Sequence, residues 1–275
     1  MLATLNDLLP AAADGHYALP CFNVFGSEEV VAILAAAEEA QRGVILACNK
    51  DMADHMGVVG FAGMVRGLAD AATVPVCVHL DHCYEEARIH AALRAGFSSV
   101  MFDGSQLPLA DNIARTAAIV RLARGFGASV EGEVGSVPYT EGRDHIKSEL
   151  TDPLEALAFA EQSGVDAMAI SVGNVHRLTE AISAIDFGLV QRIAACTRLP
   201  LVIHGTSGIR EADIQRLKTM RVAKFNIGTT MRMTFNQSLR QSLADTPERF
   251  DRLQLMQPVV SALQVEARRM IDLLG

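Results

Sequence analysis

Tryptophan is absent from this chain, and its 275 residues include only three tyrosines and eleven phenylalanines. A platform that stacks on the flat faces of sugars needs such rings, so that mode of recognition is not expected. Positive charge is also in deficit. The formal net charge of −8 opposes broad binding to nucleic acid or to an anionic membrane, and an anionic ligand would have to be held by local donors. The five cysteines, Cys21, Cys48, Cys77, Cys83 and Cys196, are odd in number and scattered. They have neither the pairing of a disulfide framework nor the spacing of a zinc finger. No apolar run reaches the length of a membrane span. MLATLNDLLPAAADGH at the start lacks the basic region and long apolar core of a secretion signal. These absences leave a soluble, cytoplasmic protein as the expectation.

Half of the residues are hydrophobic, and the length suits an α/β barrel forming one domain over 1–275. Short β-rich runs alternate with longer helical patterns. The runs are 18–24, 43–49, 74–82, 98–104, 129–135, 167–174, 199–205 and 223–229. Thr151-Asp152-Pro153 reads as an N-cap with a first-turn proline, and Gly164 as the stop. Leu154, Leu157 and Ala158 recur at the spacing of one apolar helix face. Ser27-Glu28-Glu29 opens an earlier helix with acids where the dipole favours them. Eight strand–helix units predict an α/β fold, a (β/α)8 TIM barrel. An open doubly wound sheet competes, but it wants a glycine-rich turn after the first strand, and Asn23-Val24-Phe25-Gly26 is not one. Beyond residue 231, two helical segments flank Thr246-Pro247. The last, PVVSALQVEARRMIDLL, is expected to be an extra C-terminal helix packed on the barrel or on a partner.

The stretch Val78-His79-Leu80-Asp81-His82 ends an apolar run with an acid between two imidazoles. Such groups are costly to bury, so this strand is expected to end at a cavity or at solvent. The other strand ends carry Asn23, Asn49-Lys50, Asp103, Glu131 and Glu133, Asn174 with His176, His204, and Asn226. The strand starts carry no such set, and in this fold chemistry gathers at the C-terminal ends. His82, His176 and His204 stand at equivalent depth and suit a catalytic zinc with an open position; three unrelated histidines are the alternative. His79, two residues deeper, reads as a core residue. Asp81 is placed to exchange a proton with a substrate oxygen. Asp103, Glu131 and Glu133 read as partners that orient the imidazoles, or as an alternative metal position. Glu131 reads equally well as the ion-pair partner of Lys224 inside the barrel.

His204-Gly205-Thr206-Ser207-Gly208 follows the seventh strand, and Asn226-Ile227-Gly228-Thr229-Thr230 the eighth. Small residues let backbone N–H groups approach an anion, and barrels often bind phosphate between these two loops. The long segment VGSVPYTEGRDHIKSEL (134–150), which contains Glu141, reads as a lid over the mouth or as a plain solvated loop.

These stretches, with LPCFNV, FDGSQLPLADNI, SVEGEVG, TDPLEALAFAEQSGVDAMAISVGNVH, VIHGTSGI and KFNIGTTMR, resemble the class II, zinc-dependent ketose-bisphosphate aldolases. The resemblance covers nearly the whole chain and is strongest to the tagatose- and fructose-bisphosphate branch. It implies one catalytic zinc per chain on His82, His176 and His204, with room for a monovalent cation. It implies Asp81 as proton donor to the aldehyde-derived oxygen, and Glu141 as the base that takes the proton from the ketose carbon. Dihydroxyacetone phosphate would be held by Gly205, Thr206 and Ser207 with Asn226, Ile227, Gly228 and Thr229, and zinc would stabilise its enediolate. Asp103 and Glu131 would lie near the metal, and the assembly would be a homodimer or homotetramer acting on a small phosphorylated sugar.

Four positions depart from the family pattern. Arg177 follows the sixth-strand histidine in place of glycine, and Thr206 replaces the second glycine of its loop. Pro138-Tyr139 replaces a glycine pair in the lid, and Asn49-Lys50 replace a serine. Arg177, a five-donor fork, suits a carboxylate or phosphate of the ligand; the alternative is that it turns to solvent and pairs with an acid. Lys50 brings a second cation to the same opening, so Asn23, Asn49 and Lys50 are candidate specificity residues. The expectation is aldol chemistry on a changed substrate. Two alternatives stand beside it: a Schiff-base aldolase using Lys224, and an accessory barrel that binds phosphate without turnover.

Overall fold

In the computed structural model, which describes residues 1–140 and 148–275, eight parallel strands pair in chain order and close on themselves. They are β1 (Leu19–Asn23), β2 (Val44–Cys48), β3 (Val76–Cys83), β4 (Ser99–Phe102), β5 (Ser129–Val134), β6 (Ala167–Ile170), β7 (Leu201–Ile203) and β8 (Val222–Ile227). Among the described residues the helices are α1 (Leu5–Gly15), α2 (Ser27–Ala40), α3 (Lys50–Ala71), α4 (Glu86–Ala95), α5 (Leu109–Arg124), α6 (Pro153–Ser163), α7 (Phe187–Cys196), α8 (Glu211–Lys218), α9 (Thr229–Asp245) and α10 (Arg252–Leu274). This is the (β/α)8 TIM barrel expected from the alternation. The runs read for the last three strands overshoot. β6, β7 and β8 stop at Ile170, Ile203 and Ile227, because the polar residues beyond them leave the ladder to form the mouth.

Alternation of side chains along each strand creates two apolar layers. Phe22, Leu46, Val78, Val100, Ile170 and Phe225 face outward under the helices, while Cys21, Ile45, Ala47, Cys77, Met101, Ala169 and Val202 face inward. The inner layer is continuous with α1, which contributes Leu5, Leu8, Leu9, Ala12 and Ala13. The Leu5 N–H donates to Ser129 Oγ at the first residue of β5, so α1 lies across the N-terminal end of the barrel and plugs it. This helix was not anticipated, although its start is marked. Thr4 and Asp7 form a capping box, and a hydroxyl residue followed three positions later by an acceptor is a helix-start signal.

The extra C-terminal helix packs on the barrel. α10 lies against α2 and α9 and buries Val259, Leu263, Ala267, Met270, Ile271 and Leu274. α6 begins and ends as read, with Asp152 accepting from the N–H groups of Leu154 and Glu155 and Gly164 left-handed at φ 72°. Its apolar face is not the expected one: Leu154 is 73% exposed, and Ala156, Phe159 and Ser163 are buried instead. Gly132 on β5 is the reason. A Cβ there would meet the Phe159 ring at 2.6 Å, so the glycine makes the seat that Phe159 occupies. Among the described residues no helix is long and apolar enough to cross a membrane.

Candidate active site

Strict alternation along β3 would send Asp81 into the barrel and His82 away from it. A bulge intervenes. Leu80 pairs with Val100 but Cys83 with Phe102, and His82 takes a left-handed φ of 47°. An inserted residue of this kind re-aims a side chain. Asp81 and His82 therefore both line a cleft at the C-terminal end of the barrel, enclosing about 560 Å³ including its open mouth.

The imidazoles converge there. His82 Nδ1 lies 2.8 Å from Asp103 Oδ2, and His204 Nε2 lies 2.9 Å from Glu131 Oε1. The remaining nitrogens, His82 Nε2 and His204 Nδ1, face each other at 2.7 Å. With the carboxylates accepting N–H bonds, both facing nitrogens are left with lone pairs, which a shared proton or a bound cation reconciles. A proton can fill that place. Burial opposes charge on His82, but Asp81, Asp103 and Glu133 outweigh it and lift the imidazolium to about 9. Burial and the neighbouring His82 hold His176 and His204 well below the usual histidine range. The ligand-type nitrogens of all three rings lie within 4.8 Å of one another, and His176 Nε2 is buried with no hydrogen-bond partner. Two carboxylate-anchored rings and one orphaned nitrogen fit a zinc-type ion. His82, Asp103 and Glu133 form a second group of the same spread. Burial, then the Asp103 carboxylate, pushes the Glu133 carboxyl above its ordinary range.

Asp81 is held on both oxygens: Asn23 Nδ2 donates to Oδ2 at 2.9 Å and Asn226 Nδ2 to Oδ1 at 3.0 Å. Burial works against its charge, yet His82, His204 and Lys224 keep its pKa below the usual carboxylate value. Lys224 Nζ donates to Asn226 Oδ1 at 2.6 Å, which fixes the orientation of that amide. The same ammonium pairs with Glu131 Oε2 at 2.8 Å. Glu131 thus combines the two readings made of it, with one oxygen on His204 and the other on Lys224. Burial disfavours the Lys224 charge, but the anionic groups around it raise its pKa above the ordinary lysine value. His79 is a core residue as read, with Nδ1 2.8 Å from Ser99 Oγ.

Gly205 sits at φ 70°, where a Cβ would lie 2.3 Å from Val175 O, so only glycine fits. Thr206 Oγ1 is buried without a partner, and Gly205, Thr206, Ser207, Asn226, Gly228 and Thr229 all line the cleft. Ile227 does not; its side chain lies in the outer apolar layer, leaving only its backbone for a ligand. Asn174 braces the rim by donating to His204 O at 3.0 Å. Asn49 caps α3, accepting from the Met52 N–H at 3.0 Å, and Lys50 pairs with Asp54 on the same helix. Both line the cleft, but these polar atoms are engaged by α3. Glu141 lies outside the described residues.

The segment carrying Pro138-Tyr139 docks on the loop after β6. Pro138 O accepts from the His176 N–H at 2.8 Å, and His176 O from the Thr140 N–H at 3.3 Å. The Tyr139 ring lies flat on His176, with centroids 4.2 Å apart and planes 14° apart. Arg177 stacks over Tyr139 at 5.6 Å and donates to Asp51 Oδ2 at 3.0 Å. It pairs with an acid, as the alternative reading had it, yet it remains in the wall of the cleft. Arg232 was missed from the sequence. It lines the cleft, lies over the Phe25 ring at 4.1 Å and approaches the same Asp51 oxygen at 4.0 Å. Its signal was spacing: four residues past Gly228 at a helix start puts it on the loop's face.

The family model described as fructose-bisphosphate aldolase class-II matches residues 3–275. The X-ray structure of the YdjI aldolase from Escherichia coli K12 is similar at a TM-score of 0.87 and 31% identity, covering 100% of this chain and 98% of that one. The crystal structure of a fructose-bisphosphate aldolase from Campylobacter jejuni has a TM-score of 0.84 and 22% identity, covering 99% of this chain and 95% of that one. The second is a likeness of fold alone.

Proposed function

The chain belongs to the class-II fructose-bisphosphate aldolase family, and from that premise we propose that it cleaves and forms a ketose phosphate by way of the enediolate of dihydroxyacetone phosphate. His82, His176 and His204 would hold one zinc ion. Bound there, zinc supplies Lewis-acid stabilisation to charge developing on the substrate oxygen. The remaining tasks fall to the chain. Gly205, Thr206, Ser207 and the backbone from Asn226 to Thr229 bind the phosphate through N–H groups and hydroxyls. Glu141 removes the proton from the ketose carbon. Asp81, fixed by Asn23 and Asn226, gives a proton to the oxygen of the aldehyde half in condensation and takes it back in cleavage. Tyr139 and its segment exclude water from the carbanion-like intermediate.

The observation that carries this reading is the pair of facing nitrogens on His82 and His204, each ring anchored by a carboxylate. The Schiff-base alternative is disfavoured, because an ammonium gripped by Glu131 and Asn226 has no lone pair for a carbonyl. An accessory barrel would not need Asp81 held so closely. The reading also places the protein in the cytoplasm as one domain over 1–275, assembled as a homodimer or homotetramer. The test is exchange of the dihydroxyacetone phosphate α-proton with heavy water, measured with the metal content. Exchange by protein carrying about one zinc per chain supports the proposal. Activity indifferent to chelators, with borohydride trapping at Lys224, overturns it.

A further inference from the structure

Two of the three converging imidazoles are held by acids, and the third is not. Asp103 takes the Nδ1 side of His82, and Glu131 the Nε2 side of His204. Among the described residues no side chain hydrogen-bonds to the His176 ring, whose Nε2 is buried without a partner. What this ring has instead is Tyr139. The two rings are 4.2 Å apart and within 14° of parallel, and the Arg177 guanidinium also lies over the tyrosine at 5.6 Å. The main chain repeats the contact. Tyr139 pairs with His176 in an isolated parallel bridge, flanked by the bonds from the His176 N–H to Pro138 O at 2.8 Å and from the Thr140 N–H to His176 O at 3.3 Å. One residue therefore fixes both the backbone of His176 and the plane of its ring. Pro138, with φ preset by its own ring, narrows the conformations open to the segment before it docks. Neither residue is one of the glycines that the family pattern carries here.

We propose that Tyr139 is a positioning residue for the third metal ligand. Its face sets the plane of the His176 ring, as Asp103 and Glu131 set those of His82 and His204, and it thereby ties metal affinity to the docking of residues 138–140 on the loop after β6. The inference rests on the proposed function above, in which these imidazoles hold zinc. The His176 ring crosses the planes of His82 and His204 at 69° and 66°, so a swing away from Tyr139 turns its nitrogen from the point that the other two share. A ring already held in its plane loses less freedom when the ion arrives. The tie is reciprocal: whatever docking adds to zinc affinity, zinc adds to docking. A glycine pair in this place would leave His176 to find its plane unaided. The contact is made by the face of the tyrosine, so the hydroxyl is dispensable.

The test is zinc affinity by chelator competition on the intact chain, with Tyr139→Phe, Tyr139→Leu and Tyr139→Gly beside the parent. Tyr139 is half-buried, so none of these changes opens a void in the barrel. Tyr139→Phe keeps the flat face and should hold zinc as tightly as the parent. Tyr139→Gly should lose about 10- to 100-fold, the usual loss when the group that orients a metal-binding imidazole is removed. Tyr139→Leu fills the space without a flat face and should fall with it. The second readout is exchange of the His176 N–H with heavy water, followed by NMR. Added zinc should slow it in the parent and in Tyr139→Phe, and leave it unchanged in Tyr139→Gly. Parental affinity in Tyr139→Gly overturns the inference, and so does Tyr139→Leu matching Tyr139→Phe, which would reduce the residue to a filler of space. Exchange at His176 that ignores zinc in the parent overturns the tie to docking. A parent that binds no zinc defeats the proposed function and takes this inference with it. A parent that binds about one zinc per chain, with the variants unchanged, defeats this inference alone.

Discussion

The left-handed backbone at His82 delivers Nδ1 to Asp103 and leaves Nε2 for His204. Nothing in VHLDH spelled out that geometry. The sequence marked the residue, because an acid between two histidines at the end of an apolar run is out of place in a core. It did not mark the bulge, whose evidence is the mismatch between Leu80–Val100 and Cys83–Phe102. The ion pair of Arg177 with Asp51 was illegible for a related reason: the two residues are 126 positions apart, and no local pattern ties them. Glu131 supplies the sharpest test at this scale. Glu131→Gln should weaken zinc binding about 10- to 100-fold by releasing His204, and should also destabilise the fold by roughly 3–5 kcal/mol by stranding the buried Lys224 charge. Chelator competition and urea unfolding measure the two effects separately. Lost stability with full zinc affinity would mean that Glu131 serves Lys224 alone.

Element by element, the alternation of eight strands with helices was readable because β-rich runs and helical spacing each leave a period. Which face of a helix is buried was less so, as α6 shows: Gly132 on a neighbouring strand, not the helix itself, decides that Phe159 turns inward. α1 is the clearest omission, since its capping box is local but its purpose is not. Leu9→Ala in this plug should cost about 2–5 kcal/mol, the range for a fully buried leucine, because Leu9 is 0% exposed. A loss under about 1 kcal/mol would show that the barrel end tolerates the void. α2 offers a test by pH. Burial outweighs the hydrogen bonds from the backbone of Glu29 and Gly26 and lifts the Glu29 carboxyl to about 7. Between the ordinary glutamate value of about 4.3 and that figure, the folded chain keeps a proton that the unfolded chain has lost. Stability attributable to Glu29 therefore falls as pH rises through this window. Glu29→Gln should be more stable than the parent near pH ~8 and should lose that advantage toward pH ~4. Urea midpoints across the range decide it, and parallel curves for the two proteins would rule the effect out.

For the molecule as a whole, an ion bound by the folded chain and not by the unfolded one must raise the melting temperature. At a free zinc concentration about a thousand times the dissociation constant the stabilisation is about 4 kcal/mol, worth roughly 2 °C or more per kcal/mol in a chain of this size. Chelation should lower the melting temperature and added zinc should restore it, whereas His204→Ala should melt at one temperature under both conditions and be inactive. A zinc-dependent rise that persists in that variant would place the ion elsewhere.

Closure of the barrel has a consequence for how the protein comes into being. β1 pairs with β8, Leu19 against Lys224 and Cys21 against Asn226, so the first strand made waits beside an empty place until the last arrives. A growing chain that has reached only Ile203 has His82 and His176 but not His204. It also lacks Asn226 to hold Asp81 and Lys224 to hold Glu131. Pairing across so many residues is slow to form, and here the settings of Asp81 and Glu131 are completed only by residues of β8. Products cut off at Ile203 keep His82 with Asp103 and Glu133 but lack the third imidazole and the amide that fixes Asp81, so the complete set of side chains comes together only when synthesis has passed β8.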